Sequence, residues 1–240
     1  MCTYISGVPP VSANSRLPSD ERRGRILDAA LKVFAERGFH GATTRELARA
    51  AGVSEALMFR HFPTKEDLYL ALQSHCCQAK AGEKAEMLGR LDDSTASLVM
   101  LVHYMMAKML RPVHAVPEEE QALHRLLANS LIEDGKFARG FMERVGREFV
   151  VKLEACLAAA VRAGDAVVSP VKAGVGGWFV QHFAAMLMLN EMPGEPVVVL
   201  DAERASQVEQ AVWFALLGLG LKPESIQALY HPQAYALLMS

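Results

Sequence analysis

Apolar positions recur at helical spacing along most of the chain. Ile26, Ala29, Ala30, Val33 and Phe34 follow three- and four-residue steps, which predicts a helix from about Asp20 to Arg37 with Gly38 as its left-handed stop. A short helix is expected over 44–51, where Thr43 and Glu46 have the spacing of a capping box. Gly52 and Val53 form a turn, Ser54 caps a third helix over 55–61, and Pro63 ends it. Thr64 and Asp67 signal a fourth helix, from Lys65 to about Leu88. Further helices are expected near 94–110, 118–131, 136–163, 170–190 and 201–220. Proline, glycine and acidic breaks separate them at 111–112, 117, 133–135, 164–165 and 192–194. Ser169 and Pro170 read as an N-cap and a first-turn proline. Val197 to Leu200 is mostly β-branched but too isolated to need a sheet. The predicted class is all-α.

Composition agrees with that class. Aromatics are 7% of the 240 residues while Met numbers twelve, a mix that suits helices better than a β-sandwich. The longest apolar run, Ala211 to Leu221, is shorter than the roughly 18 residues of a membrane span. Met1 to Ser19 lacks the basic start and apolar stretch of a signal peptide, and its Ser, Pro and Asn content predicts a flexible arm. Cys2, Cys76, Cys77 and Cys156 form no C-x-x-C pair, and no Cys/His spacing matches a zinc site, so no metal or cofactor is expected. Scattered cysteines without an export signal point to the reducing cytoplasm. The net charge of −2 conceals an asymmetry: residues 1–65 carry ten Lys and Arg against six Asp and Glu, while the remainder is acidic. A basic head on an acidic body hints at a polyanionic partner for the head.

The informative stretch is Thr43 to Phe62, TTRELARAAGVSEALMFRHF. Leu47, Ala48, Ala51, Val53 and Met58 sit where two short helices pack across a tight turn, the pattern of a helix-turn-helix whose second helix enters the DNA major groove. Glu55, Ala56, Leu57, Arg60 and His61 then face outward. A short helix pair of this kind can also be packing alone. The larger block resembles the TetR family of bacterial transcriptional regulators. The resemblance rests on the helix from Ile26 to Phe39, on T-x-R-E-L-A-x-x-A-G-V-S from Thr43, and on F-R-H-F-P-T-K-E-D-L from Phe59 to Leu68. It covers roughly Arg22 to Leu72, and the helical remainder carries no further signature.

The resemblance implies a flexible arm over 1–19, a three-helix DNA-binding head over 20–65, and a ligand-binding and dimerisation body over 66–240. It implies a phosphate contact from Thr44 and a base or backbone contact from Arg45. Ser54, Glu55, Ala56 and Leu57 would face the groove, with Arg60 beside them, and His61 and Lys65 would bind phosphate. Phe59 stands where the family often has Tyr, which removes a hydroxyl contact. Leu57 stands where a smaller or polar residue is usual; it offers a thymine methyl contact but no hydrogen bond. Arg22, Arg23 and Arg25 could equally touch the DNA backbone or form a solvated face.

For the body, the resemblance implies a homodimer built on the last two long helices of each subunit. Val171, Val175, Trp178 or Phe179, His182 and Met186, with Ala205, Val208, Val212, Ala215, Leu216 and Leu219, supply apolar rows there, which could instead pack within one subunit. A small-molecule cavity is implied between the middle helices. His103, Tyr104, Met106, Met109, His124, Leu127, Phe141, Trp178 and Phe183 are the candidate lining, each also readable as core. The implied activity is a DNA-binding transcriptional regulator, a repressor released from operator DNA by its effector, with activation left open. The fourth helix would transmit the signal by changing the spacing of the two recognition helices, about 34–36 Å apart. The alternative is an all-helical enzyme or small-molecule carrier with an incidental helix-turn-helix. No nucleophile elbow, phosphate loop or paired carboxylate motif supports it.

Overall fold

The computed structural model describes residues 19–200 and 203–238, so most of the arm expected over 1–19 lies outside the described residues. Helices follow one another throughout, and no strand occurs among the described residues. The head holds α1 (Ser19–Gly41), α2 (Thr44–Ala50) and α3 (Glu55–His61), and α4 (Lys65–Gly89) leads out of it. Then come α5 (Thr95–Met109), α6 (Glu118–Ile132), α7 (Lys136–Phe141), α8 (Arg147–Ala163), α9 (Ala173–Glu191) and α10 (Arg204–Gly218). Two short helices, α11 (Pro223–Leu229) and α12 (Pro232–Leu238), end the described chain; they follow the last helix that the periodicity predicts.

The predicted caps form. Thr43 and Thr64 each accept from the backbone three residues on, and Glu46 and Asp67 return the bond to the cap backbone. Gly38 has φ 67°, as a stop requires, yet one more helical turn follows it. Glu133 of α6 makes this possible, because its carboxylate accepts the Phe39 amide at 3.2 Å. The helix expected over 136–163 is continuous, but residues Met142–Gly146 are wound as a π-turn between α7 and α8.

The expected helix start at Ser169 and Pro170 is corrected: α9 begins at Ala173, with Lys172 as its cap. The preceding segment is held by Val167 donating to Gly220 O and Lys222 donating to Asp165 O, each at 2.9 Å. The chain needs residues 168–172 to leave that pairing, and Ser169 accepts from the Val171 amide within the bend.

Two apolar clusters organise the packing. One gathers α5, α8, α9, α10 and α11 around Leu98, Val102, Phe149, Val212, Leu216 and Ile226. The other contains the buried side of the head, Phe34, Leu47 and Met58, but continues through Tyr69 and Leu72 of α4 into α6 and α7. The head therefore shares its core with part of the body. Helix α6 packs along α1 and is tied to it by Asn129 Nδ2 donating to Ala35 O at 2.9 Å, besides the Glu133 contact.

Candidate nucleic-acid interface and ligand cavity

The α2–α3 unit is built from local chemistry. Gly52 turns the chain with φ 66°, a conformation that a side chain disfavours, and Val53 donates to Ala48 O at 3.0 Å. Leu47, Ala48 and Met58 close the inner side at 1–2% exposure. Outward, Arg45, Ser54, Glu55, Ala56, Phe59 and Arg60 are exposed, while Thr44, Leu57, His61 and Lys65 are partly covered. None of the ten predicted contact residues is buried.

Some of their polar atoms already have partners. Thr44 Oγ1 donates to Glu55 Oε2 at 2.8 Å, fastening the starts of α2 and α3 together. Ser54 caps α3 by accepting the Leu57 amide. The Lys65 ammonium donates to Phe39 O at 2.9 Å and Ala42 O at 3.0 Å and sits 4.5 Å from the Phe39 ring centroid. Arg23 donates to His61 O at 3.1 Å and stacks on Phe62, so its first visible duty is to close α3. Lys65 and Arg23 are helix-end braces within the head, a role their sequence positions did not signal.

In the body, a cavity of about 240 Å³ opens between α4, α5, α6, α8, α9 and the π-turn. Five predicted lining residues meet there: Tyr104, Met109, His124, Leu127 and Phe141. The other four lie elsewhere. His103 is buried against the C-terminal helices, its Nδ1 3.0 Å from the Tyr230 hydroxyl, with Tyr235 stacked beside it. Met106 is fully buried in the main core. Trp178 packs by the π-turn at Gly146 and edge-on to His182. Phe183 meets Phe214 of α10, ring centroids 5.0 Å apart. A helix has several buried faces, and spacing alone does not say which of them meets the cavity.

The sequence reading also missed the charged part of the lining: Lys80 and Lys84 of α4, Lys108 of α5 and Glu120 of α6. A signal existed, since Lys80, Lys84 and Met87 recur at i, i+4, i+7 and so share one face with apolar neighbours. Arg111 Nη2 donates to Glu120 Oε1 at 2.6 Å. Burial alone would raise the Glu120 carboxyl, but Lys108, Arg111 and Lys80 outweigh it and hold it below the ordinary value. Burial, with Lys108 nearby, pulls Lys84 down to about 8. Burial likewise takes His124 down to about 4; Glu120, 3.9 Å away, opposes this without offsetting it. His124 is therefore neutral at pH 7, whereas Lys84 remains mostly charged. Across the cavity, Gln181 Nε2 contacts Met142 Sδ while its Oε1 is buried without a hydrogen-bond partner.

The two rows proposed for dimerisation fare differently. Val171, Val175, Phe179, His182 and Met186 form an exposed row, with Phe179 at 64% and Met186 at 66% exposure. The row on α10 is corrected: Val212, Ala215, Leu216 and Leu219 are buried in the chain's own core, where α10 lies on α5. The outward apolar positions of α10 are Phe214 and Leu217.

Comparison with known proteins bears on both parts. Residues 26–72 match the family of bacterial regulatory proteins described as the tetR family. The chain is 44% identical over 80 residues to the HTH-type transcriptional activator FasR of Mycolicibacterium smegmatis, covering 33% of this chain and 36% of that one. It is 46% identical over 63 residues to the HTH-type transcriptional repressor AcnR of Corynebacterium diphtheriae, covering 26% and 32%. These matches span about a third of each relative's length. The fold likeness extends further. A structure of AibR in complex with isovaleryl coenzyme A and operator DNA gives a TM-score of 0.59 at 16% identity, covering 80% of this chain and 97% of that one. FadR from Bacillus subtilis in complex with stearoyl-CoA gives 0.57 at 14%, covering 81% and 98%. At these identities the likeness concerns the fold. The helix-turn-helix head, residues 26–72, thus matches the tetR family of bacterial regulatory proteins, and the fold of the whole chain is like that of solved regulators.

Proposed function

We propose that the protein is a transcriptional repressor acting in the cytoplasm, that it binds a near-palindromic operator as a homodimer, and that a small molecule in the cavity releases it. The observation that carries this reading is a shared wall. Leu123, Phe141 and Val145 line the cavity and belong to the same apolar cluster as Leu47 and Met58 beneath the α2–α3 surface. A ligand that repacks this wall favours a different seating of the head, and that difference between states is what a ligand needs to shift an equilibrium. Helix α4 offers a parallel route, with Leu68 and Tyr69 in the head's core and Lys80, Lys84 and Met87 on the cavity. The exposed row of α9, together with Phe214 and Leu217 of α10, supports the dimer.

The test is a salt-dependent shift assay on the region upstream of the protein's own gene, with unrelated DNA as competitor. Specific binding survives the competitor and weakens with salt as phosphate contacts release counterions. Equal affinity for both duplexes would reduce the interaction to electrostatics and remove the operator from the reading.

A further inference from the structure

We propose that the cavity takes a single-chain amphiphile with an anionic head, phosphate or carboxylate, and that Glu120 holds the place of that head until it arrives. The proposal rests on the effector role given to the cavity above and names the chemistry of its occupant.

Most of the wall is apolar, with Met87, Met105, Met109, Leu127 and Phe149 among its members. At 240 Å³ it has room for about eight water-sized groups, taking about 30 Å³ for each. Set into this wall are three lysines and a single carboxylate, that of Glu120. Its Oε1 is 2.6 Å from Arg111 and 4.0 Å from Lys108, and its Oε2 is 4.0 Å from Lys80. Only the arginine contact is a hydrogen bond; 4.0 Å is too long for one. Lys84 donates to the Val145 carbonyl at 3.3 Å, lies over the Phe149 ring, and feels the charge of Glu148 on α8. Three cations, Lys80, Lys108 and Arg111, thus gather around the Glu120 carboxylate, and neutral His124 adds nothing to balance them. Excess charge in a partly desolvated site is costly unless an opposite charge enters.

A second, smaller pocket shares Lys108, Met109, His124 and Met188 with the cavity and adds Arg111, Arg125 and Glu191, the last paired with Arg204. The cation cluster therefore stands where the apolar chamber adjoins a second recess that carries two arginines, as the head of a bound amphiphile would require. An entering anion competes with Glu120 for Arg111 and Lys108. Glu120 sits in the first turn of α6, the helix tied to α1 through Asn129 and Glu133, so its displacement acts on the element that holds the head.

The test is calorimetric titration of the full chain at pH 7, without DNA, with octyl phosphate, octanoate, 1-octanol, octyltrimethylammonium and inorganic phosphate. Octyl phosphate and octanoate should bind at least about tenfold more tightly than 1-octanol. The ammonium and inorganic phosphate should bind not at all. 1-Octanol binding as tightly as the anions, inorganic phosphate matching octyl phosphate, or no binding by any octyl probe at millimolar concentration would each overturn the proposal. Glu120→Gln should tighten octyl phosphate several-fold and leave 1-octanol unchanged, the latter showing that the cavity is intact. Unchanged octyl phosphate affinity in that variant removes the place-holding role. Since none of these measurements involves DNA, their failure is distinct from failure of operator binding in the shift assay.

Discussion

Arg45 and Lys65 are both predicted DNA contacts but differ in what else they do. Arg45 is exposed on the first turn of α2 and can be removed without opening the core. Arg45→Ala should erase preference at one base position, at a cost of about 1–3 kcal/mol, and leave oligomeric mass unchanged. A mismatch series on the operator reads this directly, and an unaltered preference at every position would take Arg45 off the base contacts. Lys65 also fastens two carbonyls at the end of α1. Lys65→Ala should therefore lower stability by about 1–3 kcal/mol in urea unfolding, besides weakening duplex binding. An unchanged midpoint would leave Lys65 with only a phosphate role. The caps at Thr43, Ser54 and Thr64 were legible because they depend on neighbours three residues away. The bracing by Lys65 and Arg23 was not, because it joins residues 23–26 or 38 positions apart.

Among the elements, α6 carries the densest set of ties, with its first turn at the cation cluster and its far end against α1. His124 lies between them. Its folded pKa of about 4 is below its ordinary 6.5, so the unfolded chain binds the extra proton. The corresponding stability is fully present above pH 6.5 and is lost as pH falls through about 4. Urea unfolding at pH 7 and pH 4 should show a larger loss in the native protein than in His124→Gln, by about 3 kcal/mol. Equal losses would mean that His124 titrates normally. Helix existence was readable from periodicity as far as α10 but not for the short α11 and α12, and the face presented to each neighbour was not readable. On α10, an apolar row consistent with a partner subunit proved to be the side lying on α5. Both sides of α10 carry large apolar residues, so the pattern did not distinguish them.

At the scale of the whole molecule, two apolar clusters meet at the cavity and an exposed row remains on α9. Phe179→Glu places a charge on that row without touching either cluster. It should convert the proposed dimer to a monomer in sedimentation at micromolar concentration and weaken operator binding, while octyl phosphate affinity is retained. A wild-type protein that sediments as a monomer with and without operator DNA would refute the dimer outright. The head was legible in the sequence because its chemistry is compressed into about 50 residues. The cavity was only half legible: its apolar lining resembled core, and its lysines resembled a solvated face.

The π-turn at Met142–Gly146 has a consequence for how this chain can change over evolutionary time. It winds with a surplus residue between Phe137 and Phe141, which serve the head's cluster, and Phe149 and Leu153, which serve the other. Each residue of an α-helix turns the chain by about 100°. A π-turn absorbs its surplus residue by underwinding, so Phe141 and Phe149 keep nearly the phase that a regular ladder with one residue fewer would give them. Substitutions at Met142 or Val145 can reshape the chamber one side chain at a time. Deleting one residue here would restore a regular ladder with both sets of anchors still in place, so this segment is where the chain can change its length by one residue without disturbing either cluster.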